Sequence, residues 1–181
     1  IAEGHDIIIE AISSGCNGES YPKWSIICYE FPARSSELPP ARLFWYDGGL
    51  RPPQDLLKDQ EMPGNGCLLI GEKGMLFSSS AYGDGWKLLP EEHFKDFQPP
   101  TPTLPRSPGH HQEWVLACKG GLSALSNFAD YASYLTEIVL LGNLPILAHQ
   151  KIEWDTKNIK AKNCPEADRF IRRKYRQGWP L

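Results

Sequence analysis

The sequence predicts an α+β fold, an open and mainly antiparallel β-sheet with helices covering one face. Short β-branched and aromatic runs separated by turn residues occupy the first half of the chain, and apolar residues at helical spacing occupy the second half. Strands that come first and helices that come later are typical of α+β proteins. We expect the 181 residues to form one domain, 1–181, with a core large enough to fold without disulfides or metal.

Strands are predicted where a short apolar run ends at a turn. Residues 7–12, 24–31 and 41–46 are rich in Ile, Phe, Trp and Tyr, and each run is followed by turn-forming residues. We expect these three strands to be antiparallel neighbours. Residues 66–71 and 74–77 indicate a hairpin, and residues 86–90 indicate one more short strand.

Prolines mark the segments that connect these strands and helices. Residues 50–65 contain two proline-bearing turns around a charged stretch, which indicates an exposed excursion with one helical turn. Residues 98–108 contain five prolines, so we expect a semi-rigid, extended strap across the domain.

The helices are predicted from an apolar period of 3.6 residues in the second half of the chain. Residues 111–119 are compatible with a helix that ends at Gly120-Gly121. A longer helix is predicted from about Asn127, capped by Ser126 or Asn127 and kinked or ended by Pro145. One face of it carries Phe128, Tyr131, Ala132, Leu135, Ile138, Val139 and Gly142. We expect a final strand at residues 151–154 and a basic helix at residues 165–175.

Composition excludes several classes of partner. The net charge of −3 and the pI near 6.0 provide no field for nucleic acid, and no apolar run approaches the ~18 residues of a membrane span. We therefore expect no nucleic-acid and no membrane partner. The five cysteines are scattered without a Cys-x-x-Cys pair, which favours buried free thiols over a zinc site or disulfides. Because the chain begins at Ile1 without Met or a signal sequence, we expect a fragment or a processed product.

The sequence has no glycine-rich phosphate loop. Gly48-Gly49 and Gly120-Gly121 are its glycine pairs, and neither is followed by the third glycine of a dinucleotide fingerprint. We expect no cofactor to bind this chain alone.

Motifs spread in order along the chain carry a resemblance to a known family. They are Tyr29-Glu30-Phe31-Pro32-Ala33-Arg34, Trp45-Tyr46-Asp47-Gly48-Gly49, His110-His111-Gln112-Glu113-Trp114, Ala117-Cys118-Lys119, Ser126-Asn127-Phe128, Thr136-Glu137, Leu141-Gly142-Asn143 and Ile152-Glu153-Trp154-Asp155. From about Tyr21 to the end, the sequence resembles the C-terminal domain of Gfo/Idh/MocA-type oxidoreductases. It is most similar to the bacterial branch abundant in planctomycetes.

The resemblance implies an NAD(P)-dependent oxidoreductase, a dehydrogenase acting on a sugar, inositol or related polyol. In that family a Rossmann domain holds NAD or NADP and supplies a Glu-Lys-Pro lysine, whereas the C-terminal domain contacts substrate and forms a homo-oligomer through its sheet face. This sequence has neither the fingerprint nor Glu-Lys-Pro, so the Rossmann domain is missing and the chain alone is expected to be inactive. Gly4-His5-Asp6 is a compressed form of a family His/Asp stretch, and we assign His5 and Asp6 no catalytic role.

Four residues are predicted to bind substrate: His110, His111, Asn127 and Asp47. An imidazole can hydrogen-bond a hydroxyl or relay its proton, but His110 or His111 can equally cap a helix whose Trp114 enters the core. Asn127 can contact substrate or only cap its helix. Asp47 can face a ligand or only form a turn before Gly48-Gly49. No catalytic, cofactor-binding or metal-ligating residue is assigned.

A basic run with interleaved aromatic residues ends the sequence. Its basic residues are Arg169, Arg172, Arg173, Lys174 and Arg176. A solvated helix face, with Phe170, Tyr175 and Trp179 anchoring the tail to the sheet, is favoured over a nucleic-acid surface because the whole chain is acidic. For the chain as a whole, the alternative to an oxidoreductase domain is a stand-alone, non-catalytic module that binds a carbohydrate or a protein.

Overall fold

The computed structural model describes residues 5–57 and 60–179. Its strands are β1 (Ile7–Ser13), β2 (Ser25–Phe31), β3 (Ala41–Tyr46), β4 (Cys67–Gly71), β5 (Gly74–Ser78), β6 (Trp86–Leu89), β7 (Ile152–Asp155) and β8 (Lys160–Ala161). Its α-helices are α1 (His110–Cys118), α2 (Ser133–Leu141), α3 (Asn143–Ala148) and α4 (Asp168–Ile171). A π-helical turn, Phe128–Ala132, precedes α2. Short 3₁₀ turns cover Gln54–Leu56, Glu91–Phe94 and Pro165–Ala167.

The mixed α+β class with antiparallel, open sheets is confirmed. One sheet has the order β3-β2-β1-β7-β8 and a second has the order β4-β5-β6, and every pairing in both is antiparallel. The described chain divides into two compact units, one of Ile1–Leu50 with Ser107–Leu181 and one of Arg51–Arg106. That residues 1–181 fold as one domain stays a prediction.

One face of the five-stranded sheet carries the core of the first unit. Alternation along β1 and β2 places Ile7, Ile9, Ile27 and Tyr29 on this face, and α2 and α3 cover it. The completely or nearly completely buried members of this core also include Leu141, Leu144, Ile146, Ile152, Trp154, Ala161, Cys164 and Ala167. The helices therefore cover one face of this sheet, as the sequence predicts.

The opposite face of the same sheet is open, and its side chains alternate in character. It carries Ile12 and Phe44, which are 63% and 49% exposed, beside the acids Glu10 and Glu30. The Arg42 guanidinium lies 5.8 Å from the centre of the Phe44 ring. Leu43 and Trp45, by contrast, belong to the helix-covered side, because they pair with the core residues Tyr29 and Ile27. The open face is thus less uniformly apolar than strand composition alone suggested.

The long predicted helix forms, but its hydrogen-bond ladder is interrupted at Gly142 rather than ended by Pro145. Pro145 lies inside α3, where it has no N–H to give to the carbonyl one turn earlier. Asn127 caps the π-helical turn by accepting a hydrogen bond from the Asp130 N–H at 2.9 Å, which confirms one of the two predicted caps. The ladder therefore breaks one turn before the proline.

The predicted apolar face of that helix is only partly a core face. Ile138 packs against the core and Gly142 is buried, but Phe128 is 84% exposed and Tyr131, Leu135 and Val139 are also exposed. Helical periodicity identified a real stripe, yet only its C-terminal end reaches the sheet. The rest of the stripe faces solvent.

The helical stretch Phe128–Ala148 is long and apolar enough to cross a membrane by length and composition, with a mean hydropathy of 1.3 over its most apolar window. The expectation that no run approaches such a length was therefore wrong, since Asp130 and Glu137 interrupt the run without making it polar overall. Core helices of water-soluble proteins meet the same criterion, and Leu141, Leu144 and Ile146 are buried in the core. The absence of a membrane partner stays a prediction.

The second unit has a small core of its own. Leu57, Met62, Phe77 and Leu89 are its buried residues. The predicted hairpin and the strand near Trp86 are confirmed as β4, β5 and β6. Residues 50–65 contain the expected turn at Gln54–Leu56, but the segment is not simply exposed, because Leu57 and Met62 fill the space beneath the sheet.

The C-terminal segment is less helical than predicted. After a 3₁₀ turn, α4 ends at Ile171, and Arg172 is already extended with φ −116° and ψ 114°. Tyr175 and Trp179 do not anchor the tail to the sheet, since they are 50% and 64% exposed. Instead, the Arg176 guanidinium lies 4.5 Å from the centre of the Trp179 ring.

Candidate functional site

A groove beside the start of α2 is the best candidate site in the first unit. It is lined by one carboxylate, two phenols and two aliphatic side chains, and its volume is about 320 Å³. These residues are Asp130, Tyr131, Tyr134, Leu135 and Ile138. A polyol combines hydroxyl groups with apolar C–H faces, and this lining offers hydrogen-bonding groups beside apolar surface.

The π-helical turn sets the positions of Asp130 and Tyr131, two of the polar residues of this groove. The Ala132 N–H donates to the Asn127 carbonyl at 2.9 Å, and the Tyr131 N–H donates to the same oxygen at 3.3 Å. This wider turn inserts an extra residue before α2 and shifts Asp130 and Tyr131 relative to a regular helix. Such turns are frequent at functional sites, because the change of pitch re-aims side chains without ending the helix.

Asn127 directly precedes the π-helical turn that bears Asp130 and Tyr131, and both ends of its side-chain amide bond to the backbone. Its side-chain oxygen accepts from the Asp130 N–H and its side-chain nitrogen donates to the Ala124 carbonyl at 3.0 Å. The capping role predicted as one alternative is confirmed. Contact with substrate stays a prediction, and it would have to compete with both of these hydrogen bonds.

Glu113 fastens α1 to the loop that leads to the groove. One carboxylate oxygen accepts from the Ser107 hydroxyl at 2.5 Å and the other accepts from the Leu125 N–H. The hydrogen bond from Ser107 and then that from Leu125 hold the pKa of Glu113 below its ordinary value. Glu113 therefore links the helix bearing the histidines with the loop before Asn127, a connection that the sequence analysis missed.

His110 and His111 begin α1 and are both exposed. Their ring centres are 4.1 Å apart, with the planes tilted by 47°. The capping alternative is wrong, because the N-cap is Gly109 and no side chain caps α1. Trp114 does not enter the core either, since it is 66% exposed. Their role toward substrate stays a prediction.

Asp47 forms a turn after β3. Its N–H donates to the Ser25 carbonyl at 3.0 Å, and its carbonyl accepts from the Leu50 N–H at 3.3 Å. Gly48 has a φ of +67°, and a Cβ there would lie 2.0 Å from the Lys23 carbonyl oxygen, so glycine is required. The turn alternative is therefore confirmed. No described contact joins Asp47 to the groove, and its predicted role in substrate binding stays a prediction.

The described residues do not fit a dinucleotide. A dinucleotide site needs a strand, a glycine-rich turn and a helix within a parallel β-α-β unit, whereas every strand pairing described is antiparallel. We therefore derive no step through nicotinamide in this chain. Over residues 5–57 and 60–179, no group of three His, Cys, Asp or Glu side chains is placed to hold a metal ion.

The cysteines are free but not uniformly buried. Cys28 and Cys164 are buried, Cys16 is half-buried, and Cys67 and Cys118 are exposed. Burial, reinforced by Glu10 and Glu30, raises the pKa of Cys28, and burial raises that of Cys164. The expectation of scattered buried thiols is thus correct for two of the cysteines and wrong for Cys67 and Cys118. Neither buried thiol has the lowered pKa of a reactive nucleophile.

A second groove lies in the second unit and has a volume of about 590 Å³. Its lining is aromatic and charged: Trp86, Lys87, Leu88, Glu91, Phe94, Lys95, Phe97 and Pro99. Lys87 pairs with Glu91 at 3.4 Å, and Trp86 and Phe97 are about half exposed. Exposed rings beside charged groups are a combination that binds carbohydrates and acidic ligands.

Sequence reasoning missed Asp130 and Tyr134 altogether. Tyr131, Leu135 and Ile138 were identified as part of one helical face but were given no role in a site. A signal was present, since Asn127 is followed three residues later by Asp130, and Tyr131 and Tyr134 come directly after it. The π-helical turn that brings them to one groove has no comparable signature in the sequence.

Comparison with known proteins adds no assignment. No protein-family model matches the chain, and no curated protein is significantly similar to it in sequence.

Proposed function

We propose that this chain is the substrate-binding and assembly domain of an NAD(P)-dependent oxidoreductase that acts on a sugar, inositol or related polyol. The dinucleotide and the proton-transferring lysine belong to a separate Rossmann domain, as the resemblance to the Gfo/Idh/MocA family implies. The observation that carries the proposal is an open antiparallel sheet with one helix-covered face and, beside α2, a mainly apolar groove that contains one carboxylate and two phenols.

The groove supports the substrate part of the proposal. Asp130 accepts hydrogen bonds from hydroxyl groups, and the phenols of Tyr131 and Tyr134 both donate and accept them. Leu135 and Ile138 provide the apolar surface against which the C–H side of a ring packs. His110 or His111 contributes a further hydrogen bond in the intact enzyme.

The open sheet face supports the assembly part. Monomers rarely expose contiguous apolar area, and this face carries Ile12 and Phe44 in the open. We expect the chain to self-associate through it, with Glu10, Glu30 and Arg42 providing polar contacts. Light scattering should detect association of the unaltered chain, and replacement of Ile12 by Lys should weaken it.

Calorimetric titration tests the substrate and cofactor parts together. The chain should bind inositols or hexoses with an affinity in the millimolar range typical of weak small-ligand sites, and should bind NAD and NADP no better than nonspecifically. Micromolar affinity for either dinucleotide would contradict the proposal. Hydride transfer by the chain alone would contradict it as well.

A stand-alone, non-catalytic module that binds a carbohydrate or a protein is the second candidate. The groove of the second unit favours it, because Trp86 and Phe97 present exposed rings outside the substrate-side groove. In that case Trp86→Ala should abolish binding of oligosaccharides while Asp130→Asn leaves it unchanged. The opposite pattern supports the oxidoreductase domain.

A further inference from the structure

We infer that the edge strand β3 pairs with β3 of a second copy of this chain, joining two five-stranded sheets into one continuous sheet. This interface is the edge of the sheet and is separate from the open face discussed above. It does not depend on the proposed function.

The two edges of the sheet are unequal. At one edge, β8 has two residues, Lys160 and Ala161, so it offers little length for pairing. At the other edge, β3 has six residues, and the first five of them are exposed. Short strands, charges and bulges are the usual means by which proteins keep an edge from pairing.

Strand β3 has one of these protections, the charge of Arg42, and lacks the others. It pairs with β2 without a bulge, from Ile26 with Tyr46 to Phe31 with Ala41. Its sequence is Ala-Arg-Leu-Phe-Trp-Tyr, and its one charged side chain, Arg42, lies over the Phe44 ring. An exposed, regular and apolar edge of this kind is a template for another strand.

The hydrogen-bond pattern fixes which backbone groups point outward. The Asp47 N–H donates to the Ser25 carbonyl, and these residues lie opposite each other in the continuation of the β2–β3 pairing. Alternation then directs the N–H and C=O groups of Trp45, Leu43 and Ala41 toward β2. The groups of Arg42, Phe44 and Tyr46 point away from the sheet, and nothing in the described part of the chain pairs with them through the backbone.

These outward groups favour one antiparallel, two-fold register, in which Phe44 lies opposite Phe44 of the second copy. Arg42 then lies opposite the second copy's Tyr46, and about six main-chain hydrogen bonds form, two for each outward pair. Both faces of the new pairing are self-complementary. Phe44 meets Phe44 and Arg42 meets an aromatic ring on one face, while Leu43 meets Trp45 on the other.

The neighbouring registers are worse. A slip of one residue places the outward backbone groups of one strand opposite residues of the other strand whose groups point toward β2, so no regular hydrogen-bond ladder forms. A slip of two residues one way places Tyr46 opposite Pro40, which has no N–H to donate. The next allowed slip in that direction places Arg42 opposite Arg42, a like-charge pair. A slip of two residues the other way places Arg42 opposite Gly48, which lies beyond the end of β3 and has a φ of +67°, so an outward pair is lost. Because all the outward residues of β3 pair only when Phe44 faces Phe44, we take the partner to be a second copy rather than an unrelated strand.

Disulfide trapping tests this register in the full chain. The background replaces Cys16, Cys28, Cys67 and Cys118 by Ala or Ser and retains Cys164, which is completely buried. Removal of Cys28 also prevents a bond within one chain, because Cys28 lies opposite Phe44 in β2. Into this background, Phe44→Cys, Arg42→Cys and Leu43→Cys are introduced singly, and each variant is oxidised at micromolar concentration.

Phe44→Cys should give about tenfold more disulfide-linked dimer than Arg42→Cys or Leu43→Cys, because Cα atoms directly opposite in a hydrogen-bonded pair are about 5.5 Å apart. A mixture of Arg42→Cys with Tyr46→Cys should cross-link, whereas neither should alone. That mixture also provides the test if Phe44→Cys does not fold. Equal cross-linking at every position, cross-linking at Arg42→Cys alone, or no cross-linking in either arrangement would overturn the proposal.

Discussion

The Tyr29 hydroxyl occupies the space that a side chain at Gly142 would need. A Cβ built on Gly142 would lie 2.3 Å from the Tyr29 oxygen and 2.8 Å from Ile27 Cδ1. The hydroxyl donates to the Ile138 carbonyl at 2.9 Å, and a hydrogen bond from the Gly142 N–H to its oxygen partly offsets the effect of burial on the Tyr29 pKa. A residue of β2 is thus inserted into the hydrogen-bond ladder of the helix that covers it.

Gly142→Ala should destabilise the chain by about 1–3 kcal/mol, because the added methyl group forces the helix away from β2. Gly142→Ala should lose less stability in a Tyr29→Phe background than in the unaltered chain, because Phe lacks the hydroxyl oxygen that lies closest to the new Cβ. Urea unfolding of the two single variants and the double variant measures this coupling. Gly64→Ala is the matched control, since its nearest neighbour lies 3.8 Å away. Strictly additive effects would show that the two residues do not interact.

The Tyr29 hydroxyl should also make stability depend on alkaline pH. Burial raises the pKa of Tyr29 to about 12, above the ordinary value near 10, so the folded state favours the protonated phenol. This contribution is fully present below pH 10 and is lost as the pH rises from 10 toward 12. The difference in free energy of unfolding between the unaltered chain and Tyr29→Phe should therefore narrow across that window. If that difference stays constant between pH 10 and 12, the Tyr29 phenol is exposed to water in the folded state.

Glu113→Ala should release the loop before Asn127 from α1. Glu113 accepts hydrogen bonds from the Ser107 hydroxyl and the Leu125 N–H, so its loss should speed hydrogen exchange at the Leu125 amide. The pKa of Glu113 is lowered, so the clamp is intact above the ordinary carboxyl pKa and is lost as the pH decreases through the folded value. Glu92→Ala, in the second unit, is the control. An unchanged rate of hydrogen exchange at the Leu125 amide would show that Glu113 does not hold this loop.

His110→Ala and His111→Ala should each change the free energy of unfolding by no more than about 0.5 kcal/mol, and so barely move the melting temperature. Both side chains are exposed and neither caps α1. In an enzyme that includes the cofactor domain, at least one of the two should lower kcat/KM. If both retain full kcat/KM, neither histidine contacts the substrate.

The strands of this fold could be predicted from sequence because their pattern is local. The run that forms β3 and the turn at Gly48-Gly49 are visible as an aromatic stretch followed by residues that tolerate positive φ. The solvent-exposed part of the helix stripe could not be predicted. Periodicity places Phe128 and Gly142 on one stripe, but only the contact with Tyr29 decides which end of the stripe meets the sheet.

The candidate site, like the fold, could be predicted from the sequence only in part. Asn127 could be identified as a cap because an Asx side chain before a helical pattern has a local signature. Asp130 and Tyr134 required the π-helical turn, whose extra residue depends on how α2 packs, and their use in a groove could not be predicted from spacing. Burial of Leu57 and Met62 was missed for a similar reason, since prolines nearby indicate a loop but do not exclude a core contact within it.

Titration of the chain with inositols and hexoses, followed through the backbone amide signals in NMR spectra, shows directly whether the groove beside α2 binds a polyol. We predict that the amide signals of residues 130–138 shift on addition of at least one polyol. Asp130→Asn and Tyr134→Phe should each weaken that binding about tenfold, the effect of losing one good hydrogen bond. Shifts confined to the groove around Trp86, or binding that both variants leave unchanged, would contradict it.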